Sequence, residues 1–339
     1  MPARWVLAVM GVAVLVAAID IGAIVLARGG TSAAQDAQPV LGDAVAVIDP
    51  AGGRLVARVA VGRQPTLVRA GYGGAWVLNK GDGTVTHIDA HSHKVVATLK
   101  PDAAVNALTV GAGGVWLAGH SRSVQSALET TSIQRVDPAS GAIDRSFTTK
   151  TGATVVAAGG GSLWSTGYLG GHVRGAARSD AVSGVMSKLD IGIYGDLVAA
   201  NDTAAYYVAS VGNRIARVST KTGRLTDSMT LASDASLAAG IILPNPTDVA
   251  VGGGAVWISE TDGSVVRIDS RLNGIVASIP VCHNALAVAY GEGAVWVACS
   301  NDTVVRVDPA TDAPGRPIAV GRLPRGIAAG EGAIWVTLN

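Results

Sequence analysis

A short motif returns seven times along the 339 residues and leaves few folds open. A glycine-rich turn leads into a tryptophan at Gly71 to Trp76, Gly111 to Trp116, Gly159 to Trp164, Gly252 to Trp257, Gly291 to Trp296 and Gly330 to Trp335. A worn copy runs from Asn201 to Tyr206, with Tyr206 in the tryptophan place. A spacing of roughly 40–50 residues is that of propeller blades. A second element alternates with the first and ends at Asp49, Asp89, Asp137, Asp180, Ser219, Asp269 and Asp308. Each copy is followed by a turn such as Pro138 to Gly141 and then by another alternating run such as Val56 to Val61. Alternation with a period of two marks strands. Each unit is therefore four short strands: an inner strand, the Trp strand, the strand ending in Asp, and an outer edge strand.

The two ends of the chain complement each other. The sequence stops at Asn339, just after the seventh Trp strand, so the last unit lacks its outer two strands. Residues 44–61 supply two such strands with nothing before them. Joining the two closes the ring and leaves only short, protected edges. The fold class this predicts is all-β: a seven-bladed β-propeller over residues 44–339, closed by its N-terminal strands and preceded by one transmembrane helix. Composition agrees. Glycine, at 44 of 339 residues, is well above the usual ~7%. An apolar content of 49% excludes intrinsic disorder. A net charge of +1 gives no electrostatic footprint for nucleic acid.

Two of the units, residues 246–281 and 287–321, resemble the repeats of YVTN-type and virginiamycin B lyase-like β-propeller proteins, and the resemblance covers about residues 40–339. It implies the propeller fold. Such repeats serve binding, scaffold and catalytic proteins alike, so it does not imply one activity. The family's Trp-Phe-Thr-Glu has its nearest match at Trp257-Ile-Ser-Glu260, which makes Glu260 the one residue the resemblance carries over. The family's catalytic histidines have no counterparts on neighbouring blades: His120 lies in a distant blade and His283 begins an inner strand. Asp137-Pro-Ala-Ser-Gly141 resembles part of the docking repeat of quinone-cofactor dehydrogenases but lacks the Trp that should come after it. No cofactor is expected.

Repetition itself separates scaffold from site. One large ring per blade at the same place fills the gap between neighbouring sheets. The aspartates read as side chains bonding their own backbone at a turn. A site should break the repeat. The propeller rim where inner strands begin and the loops after the Trp strands return is where residues differ. The candidate binding residues there are Asn79, Asn106, His120, Tyr168, Asp196, Thr247, Glu260, Asp262, Asn284 and Arg325. A polar rim also results simply from loops facing water. The loops 119–131, 167–178 and 232–246 are the longest departures and lie towards that face. Glu260, His120 and Asp262 would carry a lyase- or hydrolase-type reaction if the rim were catalytic. The alternative is a rim, or the propeller's sides, that binds a protein or small ligand without catalysis.

His87, His91 and His93 invite a metal reading, but a specific site needs three or four converging ligands, and no metal is expected. The glycine runs lead into strands, whereas a phosphate cradle leads into a helix. Residues 5–27 are a run of 23 with one charge, Asp20. That length spans a bilayer and exceeds the ~7–15 residues of a cleaved signal's apolar region. Anchor and signal alike export the rest of the chain. Residues 1–4 would form a cytoplasmic tail and residues 28–43 a flexible tether. The expected product is a monomer, held in the membrane through residues 5–27, with its propeller outside the cytoplasm. The two cysteines fit that address. A hairpin at Gly291–Glu292 pairs Tyr290 with Gly293 and so sets Asn284 opposite Cys299, two residues from Cys282. A diagonal at that offset is ~7–8 Å, slightly too long for a disulfide unless a bulge closes it. A Cys282–Cys299 disulfide is expected on that basis.

Overall fold

The structure, a computed structural model, describes residues 43–120, 131–149, 152–168, 174–231, 244–272 and 274–339. The segment 5–27 and most of the three long loops lie outside them. Seven antiparallel sheets form seven blades. Blade 1 runs from the inner strand Pro65–Gly71 to the outer strand Val95–Leu99, and blades 2 to 6 begin with Ala104–Gly111, Gly152–Gly159, Leu197–Ala200, Pro246–Gly252 and Ala285–Gly291. Blade 7 is the composite read from the two chain ends. Pro324–Gly330 and Ala333–Leu338 are its inner strands, and Ala44–Asp49 and Arg54–Ala60 complete it. Ala44 pairs with Leu338 and Val47 with Trp335. The inner strands neighbour one another in sequence order round a closed ring.

The recurring motif is explained by one local arrangement. In six blades the indole Nε1 of the Trp donates to the carbonyl of the glycine opening its own hairpin, at 2.9–3.3 Å for Gly71, Gly111, Gly159, Gly252, Gly291 and Gly330. Each ring is fully buried. The glycine is required by the next blade: a Cβ at Gly252 would lie 2.0 Å from the Tyr290 ring, and one at Gly291 would lie 2.5 Å from the Ala329 carbonyl. In blade 4, where Asn201 replaces the glycine, Tyr206 instead donates its hydroxyl to Ser270 O of blade 5 at 2.6 Å. The residue paired with the Trp on the third strand lies along the ring. Arg178 and Arg267 sit 5.4 and 5.2 Å from the Trp164 and Trp257 centroids, and His87 stacks on Trp76 at 3.9 Å. The aspartate series makes the expected turns. Asp89, Asp137 and Asp180 each accept both the amide and the hydroxyl of a serine three residues on. Those bonds hold their carboxyls below the usual carboxylate range.

Three sequence expectations change. The loop read over 167–178 contracts, because strand Ser162–Tyr168 pairs with strand Arg174–Asp180 up to Tyr168↔Arg174. The blade-6 hairpin turns on Glu292–Gly293 and pairs Gly291 with Ala294, one step later than the sequence count. A bulge at Leu286 then sets Ala285, rather than Asn284, opposite Cys299. In that register Cys282 and Cys299 form a disulfide with their Cα atoms 6.3 Å apart.

The closure sets a clear expectation for truncations. A chain beginning at Val40 keeps every strand and should unfold in one cooperative transition, as a monomer by sedimentation. A chain beginning at Gly62 loses the outer half of blade 7 and exposes the fully buried edge strand Ala333–Leu338; it should be aggregated or unfolded. Equal stability of the two would disprove the closure.

Candidate functional site

The rim where inner strands begin, which holds the candidates Asn106, Thr247 and Arg325, is built on a repeated device. Thr66, Asn106, Thr154, Thr247 and Leu286 each sit at a register shift near the start of an inner strand, and Arg325 sits at the corresponding shift in blade 7. A bulge re-aims the side chain and frees backbone groups. The neighbouring polar residues satisfy those groups. Thr337 Oγ1 accepts the Gly326 amide, and Thr131 Oγ1 accepts the Ala153 amide, both at 2.8 Å. In blade 4, whose inner strand has no register shift, Asp196 accepts the Ser210 amide at 2.9 Å and also bonds its hydroxyl.

Several candidates are thereby occupied. Asn79 is fully buried and donates to Thr84 and Thr86 hydroxyls at 3.0 and 2.8 Å, so it braces its own hairpin. Asn106 is partly buried at its bulge, and Arg325 is exposed. The backbones of His120 and Tyr168 end the Trp strands of blades 2 and 3; their side chains lie outside the described residues. Thr247, Glu260, Asp262 and Asn284 do come together, where blade 5 meets blade 6. Thr247 Oγ1 shares a hydrogen bond with Ser259 at 2.7 Å and donates to Ala285 O of blade 6 at 2.8 Å. The loop after Glu260 lies against the disulfide, since the amides of Val281 and Cys282 both donate to Gly263 O at 3.1 Å. Gly263 itself has φ +88°, and a Cβ there would meet Cys282 O at 1.8 Å. Only glycine allows this approach. Glu260 is nearly buried and accepts the Ser264 hydroxyl at 3.0 Å. Burial pushes its carboxyl up; the Ser264 bond opposes that, and the charge of Asp262 adds to it. Asp262 is exposed and accepts the Ser264 amide at 2.9 Å. Of these two neighbouring carboxyls, Glu260 is desolvated and Asp262 lies in water. Asn284 Oδ1 is buried without a hydrogen-bond partner.

A second site lies on the ring axis and has no counterpart among the candidates read from the sequence. The inner strands enclose a cavity of about 220 Å³. The inner-strand residue paired with the aromatic is alanine in five blades: Ala157, Ala199, Ala250, Ala289 and Ala328. It is Thr109 in blade 2 and Arg69 in blade 1. Two residues earlier, Leu67, Ala107, Val155, Leu197 and Ala287 occupy the place that Asp248 holds in blade 5. Arg69 and Asp248 are the two charged residues on the cavity wall. They come from opposite sides of the ring: blades 6 and 7 separate them one way, blades 2 to 4 the other. Asp248 accepts the Val249 amide at 2.8 Å and, across the blade boundary, the Val288 amide at 3.2 Å. Burial pushes its carboxyl up, against the opposing effects of Arg69 and the two amides. A sequence signal for both residues exists, since each breaks a column of small or aliphatic residues. That signal lies in the middle of the inner strands, away from the rim where divergence was sought.

Among the described residues, no group of three or more His, Cys, Asp or Glu is placed to hold a metal ion, and no helix is long and apolar enough to cross a membrane. His87 faces inward on Trp76, whereas His93 packs edge-on against Trp335, 5.8 Å away; the three histidines do not converge. No protein-family model and no curated protein matches the chain. Solved structures do match. The β-propeller domain of Cps50 (Swd1) from Myceliophteria thermophila superposes with a TM-score of 0.61 at 11% identity, over 82% of this chain and 97% of that one. The computationally designed Ika8 protein superposes with a TM-score of 0.58 at 15% identity, over 85% and 87%. The likeness is one of fold: this chain contains a seven-bladed β-propeller.

His87 gives a pH signature. Burial pushes its imidazole below the ordinary 6.5, against the pull of Asp89, and Nε2 is buried without a partner. With the folded value depressed, the unfolded chain takes up the proton first as pH falls, so stability is lost from about 6.5 downward. The thermal midpoint should drop between about pH 7 and 5.5, and His87→Gln should flatten that slope. Identical slopes in the two proteins would contradict the assignment.

Proposed function

We propose that this protein is a membrane-anchored, extracytoplasmic β-propeller that binds a protein or small ligand on the rim where its inner strands begin, as a sensor or scaffold related to the YVTN-type and virginiamycin B lyase-like repeat proteins. One observation carries the reading. The Trp, glycine and aspartate columns are uniform because they hold the blades together, while the residues at the rim bulges differ from blade to blade on that uniform frame. A rigid ring presenting divergent side chains at one end suits recognition. The apolar run 5–27 and the disulfide support an exported address. The contact of blades 5 and 6 is the favoured part of the rim, since Asp262, His283 and Asn284 there sit beside a stapled loop.

A second reading, a rim enzyme of lyase or hydrolase type, has one specific observation in its favour. The desolvated Glu260 carboxyl, pushed up by burial, stands beside the exposed Asp262 at the rim, a setting that suits a general acid. The two readings separate by mutation. In the binding reading Glu260 is structural, and its raised carboxyl makes ionisation a cost to the fold. Glu260→Gln should then leave stability unchanged at low pH and raise it at pH 7, where the wild-type carboxyl is ionised in the unfolded chain. Unchanged partner recovery in that variant, by crosslinking in the native membrane, would accompany it. Asp262→Arg and Arg325→Glu should abolish recovery, whereas Val276→Lys on the exposed outer edge of blade 5 should not. Retention of the partner by both rim variants would refute the rim assignment. Loss of a measurable turnover in Glu260→Gln would support the enzyme.

A further inference from the structure

We infer that the central cavity is a binding site for one small zwitterion, an α-amino acid of the size of glycine or alanine, with its carboxylate on the Arg69 guanidinium and its ammonium on the Asp248 carboxylate. The site is separate from the rim and does not depend on the function proposed for it.

The first argument is position. The ring offers equivalent places for every inner-strand residue, and nearly all along the cavity are small or aliphatic. One cation and one anion are introduced at two places only, in blades on opposite sides of the axis. The second argument is what the two groups do not do. Were Arg69 present only to neutralise Asp248, a narrow channel would let them pair directly. Among the described residues no ion pair joins them. Arg69 turns Nη1 back to its own blade, donating to Val68 O at 2.9 Å, and its remaining N–H groups have no acceptor among the described residues. A guanidinium has five donors in a planar fork shaped for a carboxylate. Asp248 spends one lone pair on each of two amides, at 2.8 and 3.2 Å, and has others for an ammonium.

The third argument is size and surroundings. A cavity of about 220 Å³ holds the liquid share of about seven waters, room for one small amino acid together with a few waters of its own. The inner strands are sheet edges, so their backbone N–H and C=O groups face the cavity and can complete the solvation of both charges. Charge selects further. A simple anion would sit near Asp248 and a simple cation near Arg69, each opposed by its like charge. A zwitterion satisfies both at once in a setting of low dielectric, where those contacts are strongest.

The test uses the full-length protein, with glycine and L-alanine as probes and acetate and methylammonium as single-charge controls, read by calorimetric titration and by thermal midpoint. One site per chain is expected for each amino acid, with both controls at least about tenfold weaker. Arg69→Ala restores the residue found in five other blades, so it should fold normally and weaken binding by about tenfold or more. Asp248→Asn should do the same; if it fails to fold, Arg69→Ala decides alone. Asp262→Arg on the rim should leave amino-acid binding unchanged. Absence of saturable binding, acetate binding as tightly as L-alanine, or full binding by a folded Arg69→Ala would each overturn the inference.

Discussion

The ring depends on a two-sided contact at one glycine in six of its seven blades. On one side the glycine's carbonyl takes the indole N–H of the tryptophan five residues on; on the other its missing side chain lets the neighbouring inner strand approach. The same residue therefore satisfies the polar end of the largest buried ring and sets the spacing between blades. Burying an indole of about 200 Å² is worth about 5 kcal/mol, and its N–H would be costly without an acceptor. The motif couples the two requirements, which is why the glycine and the tryptophan recur together. Blade 4 shows the exchange when the glycine is absent: Tyr206 fills the ring's place, and its hydroxyl finds Ser270 O in the next blade.

A frame built this way puts its polar requirements in predictable places. Inner strands begin with a bulge in six blades, where Thr131 and Thr337 meet freed amides, and in blade 4 Asp196 ties down the loop at Ser210 instead. Much of the rim's polarity thus holds the frame, and Asn79 belongs to that group. Among the described residues, what is left over includes the patch where blades 5 and 6 meet, the exposed Arg325 and the charged pair on the axis. Glu260 and Asp248 share one physical condition: each carboxyl is desolvated and anchored by hydrogen bonds from its own or the adjacent blade. Both sit at boundaries between blades, where a buried charge can bridge two sheets as well as meet a ligand.

The disulfide illustrates how small backbone features decide a contact. By counting alone, Asn284 stood opposite Cys299 and the cysteines were a long diagonal apart. A turn displaced by one residue and a bulge at Leu286 put Ala285, three residues from Cys282, in that place; the Cα atoms lie 6.3 Å apart because residues 281–284 have left the strand and bend to bond Gly263. Neither feature has a strong local signature. The bulge is visible only once all seven inner strands are laid over one another in their sheets, because it is a property of pairing rather than of composition.

The class of fold, the number of blades and the closure of the ring are legible in the amino-acid sequence. Each rests on local period and repetition: two for strands, roughly 40–50 for blades, and complementary incomplete units at the two ends. It also marked Trp and Asp as scaffold, because they recur. Which divergent residues are free to act depends on how the blades pack. Asn79 and Asp196 look like site residues in sequence and are bound to their own hairpins, Asn79 to Thr84 and Thr86 and Asp196 to Ser210. Arg69 and Asp248 look like isolated charges 179 positions apart in the chain, and they face one cavity because the ring brings blades 1 and 5 to opposite sides of a single axis. Repetition in one dimension reports what every blade needs. Convergence on an axis is a relation among blades, and it exists only once the ring has closed.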